Sequence, residues 1–346
     1  DAISSNRFFY LSDVNMNDTG KNVWYGTDFN VIRPGITVRR YSNNDITWEI
    51  ARKLNLGFEM RLFDKVELQV DYFTENRSNI LLERTNLPSS MGLEASVEAN
   101  VGRAKSHGVE GALTYQHSFS EDFWLSANAN FTYATSEFLV ADEPDYAASG
   151  LPWRSRIGYS LNQQWGYIAE RLFIDETDIA NSPIQTFGPY MPGDIKYKDV
   201  NGDGVINGDD EVPIGATTRP NLIYGFGVSA QWKGFDINVH FQGAGKSSFF
   251  IDGFTVYPFK EKSWGNILTD VVGNYWSLGT NEDPNARYPR LSYGGNDNNY
   301  RASTYWLRNG SYIRLKNVEL GYSIPKRFVN KLHLDRVRLY LMGTNL

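Results

Sequence analysis

The strongest constraint in this chain is a two-residue period that persists over stretches longer than an ordinary strand. Across residues 47–63 one face carries Trp48, Ile50, Leu54, Leu56, Phe58, Met60 and Leu62, and the other carries Glu49, Lys53, Asn55, Glu59 and Arg61. Side chains that alternate in this way lie on opposite faces of a β-strand. Arg52 breaks the apolar face, which suits an interfacial or external part of the strand. Beyond Asp64, Val66, Leu68, Val70 and Tyr72 alternate with Lys65, Glu67, Gln69 and Asp71. Similar runs occupy 109–117, 123–134, 222–232, 235–242 and 337–345, and 312–322 shifts phase near Asn317, as a β-bulge requires. About ten strand candidates result.

Alternation alone also fits a soluble sandwich with its apolar face buried. Length favours a membrane barrel. The period holds over 47–63, whereas ordinary strands average about five or six residues and a membrane-spanning strand needs about 9–11. Connections sharpen the choice. Asp64, 118–121 and 233–234 are short turns, while 78–104, 137–151, 173–220 and 245–304 are long and rich in Gly, Asn and Asp. Short and long connections in turn are the pattern of an up-and-down barrel with tight periplasmic turns and long outer loops. The expected fold is therefore all-β, an antiparallel transmembrane β-barrel. Residues 1–46 read as mostly loop, and 173–220 and 245–304 as long extracellular loops. Ile267, Leu268, Val271, Val272 and Tyr275 stand at helical spacing, which predicts a short amphipathic helix over 264–276.

Composition agrees with a β fold, since 14% of the 346 residues are aromatic and 31 are Gly. No apolar run approaches the ~20 residues of a membrane helix, which a barrel does not need. The absence of Cys excludes disulfides and thiolate chemistry, and the net charge of −6 argues against nucleic-acid binding. His107, His117, His240 and His333 show neither metal-ligand spacing nor a catalytic neighbourhood, although His240 falls on the polar face of its strand. Nothing in the chain points to an enzyme.

The most specific local motif runs from Asp199 to Asp210. Asp199, Asn201 and Asp203 stand at positions 1, 3 and 5, Gly204 at 6 and Val205 at 7, with Asp210 at 12. This matches the start of a calcium loop, in which alternate oxygens converge and the Val205 carbonyl joins them, with Asp210 in place of the usual closing Glu. The expected cofactor is Ca²⁺; the bland alternative is an Asn/Gly/Asp turn cluster. A second concentration is aromatic. Tyr257, Trp264, Tyr275, Trp276, Tyr288, Tyr293, Tyr300, Tyr305 and Trp306 crowd the last long loop. Of these Tyr257, Trp264, Tyr288, Tyr293, Tyr300 and Trp306 are candidates for substrate or partner contact. Such rings stack on sugars, join protein interfaces or pack a loop core, and composition does not separate the three.

Several ordered motifs resemble those of TonB-dependent transporters. They are Ile46-Thr-Trp48-Glu49, Asn55-Leu-Gly57-Phe58-Glu59, Val70-Asp-Tyr72-Phe73-Thr74, Asn100-Val-Gly102 and Gly108-Val109-Glu110-Gly111. Pro192-Gly193-Asp194-Ile195-Lys196-Tyr197-Lys198-Asp199, then Ile214-Gly215, Tyr224-Gly225, the run from Tyr305 to Val318 and Gly343-Thr-Asn345-Leu346 resemble the SusC/RagA branch. The likeness covers nearly the whole chain from Ile46. It implies part of a 22-stranded barrel in the bacterial outer membrane, with about ten strands here and the plug domain, upstream strands and final strand absent. It also implies energy from TonB, a SusD-like surface lipoprotein as a lid, and a cargo of oligosaccharides, or of oligopeptides in the RagA subset. A non-transporting glycan- or protein-binding surface protein remains the alternative. An isolated ten-strand piece leaves open edges that lipid does not tolerate, so a partial chain is expected.

Overall fold

The tight turns at 63–65, 121–122 and 233–234 lie at one edge of the molecule, together with the 324–337 connection, and the longest connections lie at the other. The computed structural model describes residues 8, 10–253, 256–259 and 266–346. Ten long strands run β1 (Asp13–Tyr25), β2 (Val31–Arg40), β3 (Ile50–Leu62), β4 (Val66–Glu83), β5 (Glu98–Ser120), β6 (Phe123–Val140), β7 (Leu222–Trp232), β8 (Phe235–Gly245), β9 (Tyr312–Ser323) and β10 (Arg338–Thr344). β3 to β10 form one eight-stranded antiparallel sheet in strict chain order.

The tight turns follow from local chemistry. Phe63 and Asp64 both have φ of 54°, and the Lys65 amide donates to the Leu62 carbonyl at 3.0 Å. Lys233 and Gly234, at φ 48° and 90°, repeat this between β7 and β8. Two successive positive φ values match the right-handed twist of a hairpin, which fixes the register. The expected bulge is present. His240 pairs with Asn317 but Phe241 pairs with Leu315, so Lys316 is the inserted residue.

Three expectations need correction. Residues 13–40 are not loop but the β1–β2 hairpin, a separate two-stranded sheet tied to the β4–β5 connection by the Val38 amide donating to Glu94 Oε2 at 2.8 Å. The segments 78–104 and 137–151 are in large part strand, since β4 reaches Glu83, β5 starts at Glu98 and β6 reaches Val140. These stretches project beyond the apolar zone. With both faces wet, backbone pairing persists while the apolar–polar period disappears. Finally, 266–276 forms turns rather than a helix, with Gly273 at φ 79° breaking it, and Trp264 lies outside the described residues.

The buried core is not in the sheet. It lies in a body built by 141–221 and 246–311 above the long-loop edge, around Leu172, Ile195, Tyr197, Val271, Trp276 and Trp306.

Candidate functional site

The two faces of the sheet differ chemically at every strand. Pairing puts Phe123, Trp232, Phe235 and Tyr322 side by side across β6 to β9, forming an aromatic row near the tight turns. Ten residues further along β6, Tyr133 aligns with Val109 and, through it, with Tyr72. Between these rows no outward position holds Asp, Glu, Lys or Arg. At ~3.4 Å per residue and a tilt near 40°, ten residues cover about 25 Å of depth, the height of a bilayer's apolar band. Much of the outward surface is open: Leu56 is 61% exposed, Phe58 56% and Leu341 78%. An apolar face this large and this exposed demands a hydrocarbon neighbour.

The other face is a polar wall. His240 lies on it beside Asp236, Asn238 and Gln242, as their alternation requires. Arg338 joins Asp236 at 3.0 Å through Nε and also pairs with Glu319. Arg314 donates to Gln242 at 3.1 Å, and the Trp124 indole donates to Gln231 at 2.8 Å. A hollow of about 310 Å³ is lined by Gln69, Asp71, Glu110, Asn130 and Thr132. Asp71 and Glu110 are direct cross-strand partners there, and neither has an ion pair among the described residues.

The loop body is held by buried polar groups that sequence reasoning passed over. Asp194 is fully buried and receives the Arg290 guanidinium at 2.8 Å, with the side-chain amides of Asn296 and Asn299 at 3.0 and 2.8 Å. Burial pushes its carboxyl up from the usual range, against the pull of Arg290. Gln185 donates to the Ile195 carbonyl and to Asn298 Oδ1, while Tyr197 Oη donates to the Asn298 carbonyl at 2.6 Å. These bonds stitch 296–299 to 185–197. The signal was in the Pro192-Gly193-Asp194 motif and the Asn296-Asp-Asn-Asn299 string, but only the fold pairs them. Asp178 is held well below the ordinary carboxylate range by Arg171, with the Ile174 amide and Lys196 adding to it.

The aromatic candidates separate. Tyr257, Tyr288 and Trp306 are buried and spend their rings on the loop core, which corrects the expectation that they touch a ligand. Tyr300 stacks on Tyr257 with centroids 3.9 Å apart, and the Trp306 indole donates to the Asn299 carbonyl at 2.6 Å. Burial pushes the Tyr257 hydroxyl up to about 12. Among the described candidates Tyr293 alone stands out, 93% exposed beside a hollow of about 520 Å³ that Arg290 and Asp297 also line.

In the 199–210 loop Asp199 accepts the amides of Gly202 and Gly204 at 2.6 and 2.8 Å, and Asp203 accepts that of Val205 at 2.8 Å. Asn201 Oδ1 accepts the Asp203 amide at 3.0 Å. Asp210 is buried, its oxygens bound to the amides of Val200 and Asn207 at 2.8 and 2.9 Å. Among the described residues no three His, Asp or Glu side chains gather closely enough to hold a metal. The loop is thus braced by its own Asx turns, with second lone pairs on these oxygens still available.

Comparison with known proteins converges on the same reading. The chain matches the family described as TonB dependent receptor-like, beta-barrel over residues 15–240. It is 28% identical over 325 residues to TonB-dependent receptor P3 of Formosa agariphila, covering 90% of this chain and 31% of that protein. TonB-dependent receptor SusC of Bacteroides thetaiotaomicron is 21% identical over 290 residues, 81% of this chain and 26% of its own. The RagAB peptide importer in its open-open state shares the fold at a TM-score of 0.64 and 20% identity, over 99% of this chain and 34% of that one. The chain spans about a third of the length of these relatives. With a charge-free outward band and a family match over most of its length, the chain belongs to the TonB-dependent receptor-like β-barrel family, a family of receptors rather than enzymes, and forms wall and outer loops of a barrel in the outer membrane.

Proposed function

We propose that the intact protein is an importer of SusC/RagA type, driven by TonB, that moves oligosaccharides across the outer membrane beneath a SusD-like lipoprotein lid. The observation that carries this reading is the one-sided build. A folded, polar-stitched loop body stands only at the rim opposite the tight turns, above a polar wall. A rigid rim of this kind offers a lid a defined seat, and the exposed Tyr293 ring is its best-placed contact for lid or cargo.

Oligopeptide import is the second reading, favoured by the fold shared with a structure described as a peptide importer. Uptake of labelled oligosaccharides and of labelled oligopeptides, in cells with and without the gene and with and without TonB, separates the two. Uptake of every probe unchanged by loss of the gene refutes import, and surface binding without uptake marks a non-transporting receptor.

We propose in addition that the 199–210 loop takes Ca²⁺ through Asp199, Asn201, Asp203, the Val205 carbonyl and Asp210. Its support is the ligand spacing and the oxygens already turned into the loop. Calcium titration of the full-length protein should raise the protection of this loop from proteolysis; unchanged protection and no bound metal at saturating calcium refute it.

A further inference from the structure

The outward face changes character abruptly just above the Tyr133 row. On β5, Arg103, Lys105 and His107 occupy three successive outward positions. Lys105 pairs across the sheet with Asn76, and Asn76 pairs with Arg52 on β3. Arg52, the residue that breaks the apolar face of its strand, thus sits at the same height as Lys105, two strands and ~10 Å away. Among the described residues neither Arg52, Arg103 nor Lys105 has an ion pair. Lys246 joins them from the top of β8, its Nζ 4.7 Å from the Tyr133 ring centroid and 3.3 Å from the Tyr133 hydroxyl. At this level lies a hollow of about 320 Å³ lined by His107, Thr135, Glu137, Tyr159, Asn221 and Lys246. The Nδ1 atom of His107 is buried there without a partner among the described residues. Glu137, the cross-strand neighbour of Lys105, is the one acid in the lining.

We propose that this basic rung is a docking site for the phosphate-bearing headgroup of an outer-leaflet lipid. The height fixes the occupant. The rung stands at the long-loop end, immediately above the charge-free band, where lipid headgroups meet the barrel. Cations in excess of the one nearby acid, and closing no ion pair, attract anionic headgroups at such a level, and a tyrosine beneath them marks the boundary with the acyl chains. The acyl chains then run down the bare apolar face below. The contact anchors the barrel at one depth and orients the loop body above the membrane plane.

The test uses full-length protein extracted from its own outer membrane in mild detergent. Lipid A retained after detergent exchange is counted by mass spectrometry for wild type, Arg52→Gln, Lys105→Gln, Lys246→Gln and the triple variant, with Lys53→Gln on the polar face as control. Each outward substitution should lower retention about fivefold, while Lys53→Gln leaves it unchanged. Heat-modifiable gel migration verifies the barrel in each case. If the triple variant fails to fold, salt decides on wild type alone, because retention should fall as salt rises. Equal retention across variants, salt-independent retention, or displacement by inorganic phosphate alone at matched ionic strength overturns the proposal.

Discussion

Replacing Asp194 by Ala should unfold the outer loop body and leave the barrel standing. The carboxylate is fully buried and closes an ion pair with Arg290, which is itself largely buried. Its raised pKa means that pairing does not fully repay desolvation, so the cost of removal comes from what is left behind. Arg290 becomes an unpaired buried cation, and the amides of Met191, Asn296 and Asn299 lose their acceptor. Breaking a buried pair from one side costs about 3–5 kcal/mol, and orphaned donors add roughly 1 kcal/mol or more. A total near 5 kcal/mol matches the whole stability of a small folded body. Hydrogen exchange of the full-length protein should then show lost protection over 185–197 and 288–299, with β3 to β10 unchanged and normal heat-modifiable migration. Adding Arg290→Met to Asp194→Ala should recover much of the loss, since the stranded charge is gone. Unchanged exchange in the single variant, or a double variant worse than the sum of the two single variants, refutes the reasoning.

The remaining predictions concern neighbouring devices. Asp178 is held low by Arg171, so it stays ionised where the unfolded chain has protonated it; its contribution is complete above the ordinary value of 3.8 and fades as pH falls below that. Asp178→Asn should therefore cost roughly 2 kcal/mol at neutral pH and flatten the acid limb of loop-body unfolding, read by tryptophan fluorescence. Gly193 has φ 86°, and a Cβ there would lie 2.1 Å from Trp276 Cε3; Gly193→Ala should destabilise the loop body by more than about 2 kcal/mol, seen as faster proteolytic clipping. Deleting Lys316 removes only the bulge residue and should leave membrane assembly intact, whereas deleting Leu320 reverses the faces of part of β9 and should abolish it.

What could be read in advance and what could not divides at the membrane surface. Inside the band, lipid on one side and the polar lumen on the other impose a chemical difference at every residue, so β3, β7 and β8 announce themselves by alternation. Even the Lys316 bulge is legible there, because an inserted residue must flip the phase. Above the band both faces meet water, and strands survive on backbone hydrogen bonds alone. β1 and β2 are built of residues such as Asn15, Asp18, Lys21 and Arg33 with no period to detect, and the outer ends of β4 and β5 lose theirs where the apolar zone stops.

The loop body fails to announce itself for a different reason. Its aromatic cluster was visible as composition, yet composition cannot say whether a Tyr faces a ligand or a core. That depends on polar partners far away in sequence. Trp306 is inside because the Asn299 carbonyl accepts its indole, and Asn299 is inside because Asp194 and the Ile195 amide hold its side chain. Tyr293 has no such chain of partners among the described residues and stays outside, 93% exposed. A ring in a long loop is therefore assigned to core or contact by the asparagines and aspartates around it. Substitutions at Asn299 should release Trp306 from the core without touching any residue that meets the bilayer.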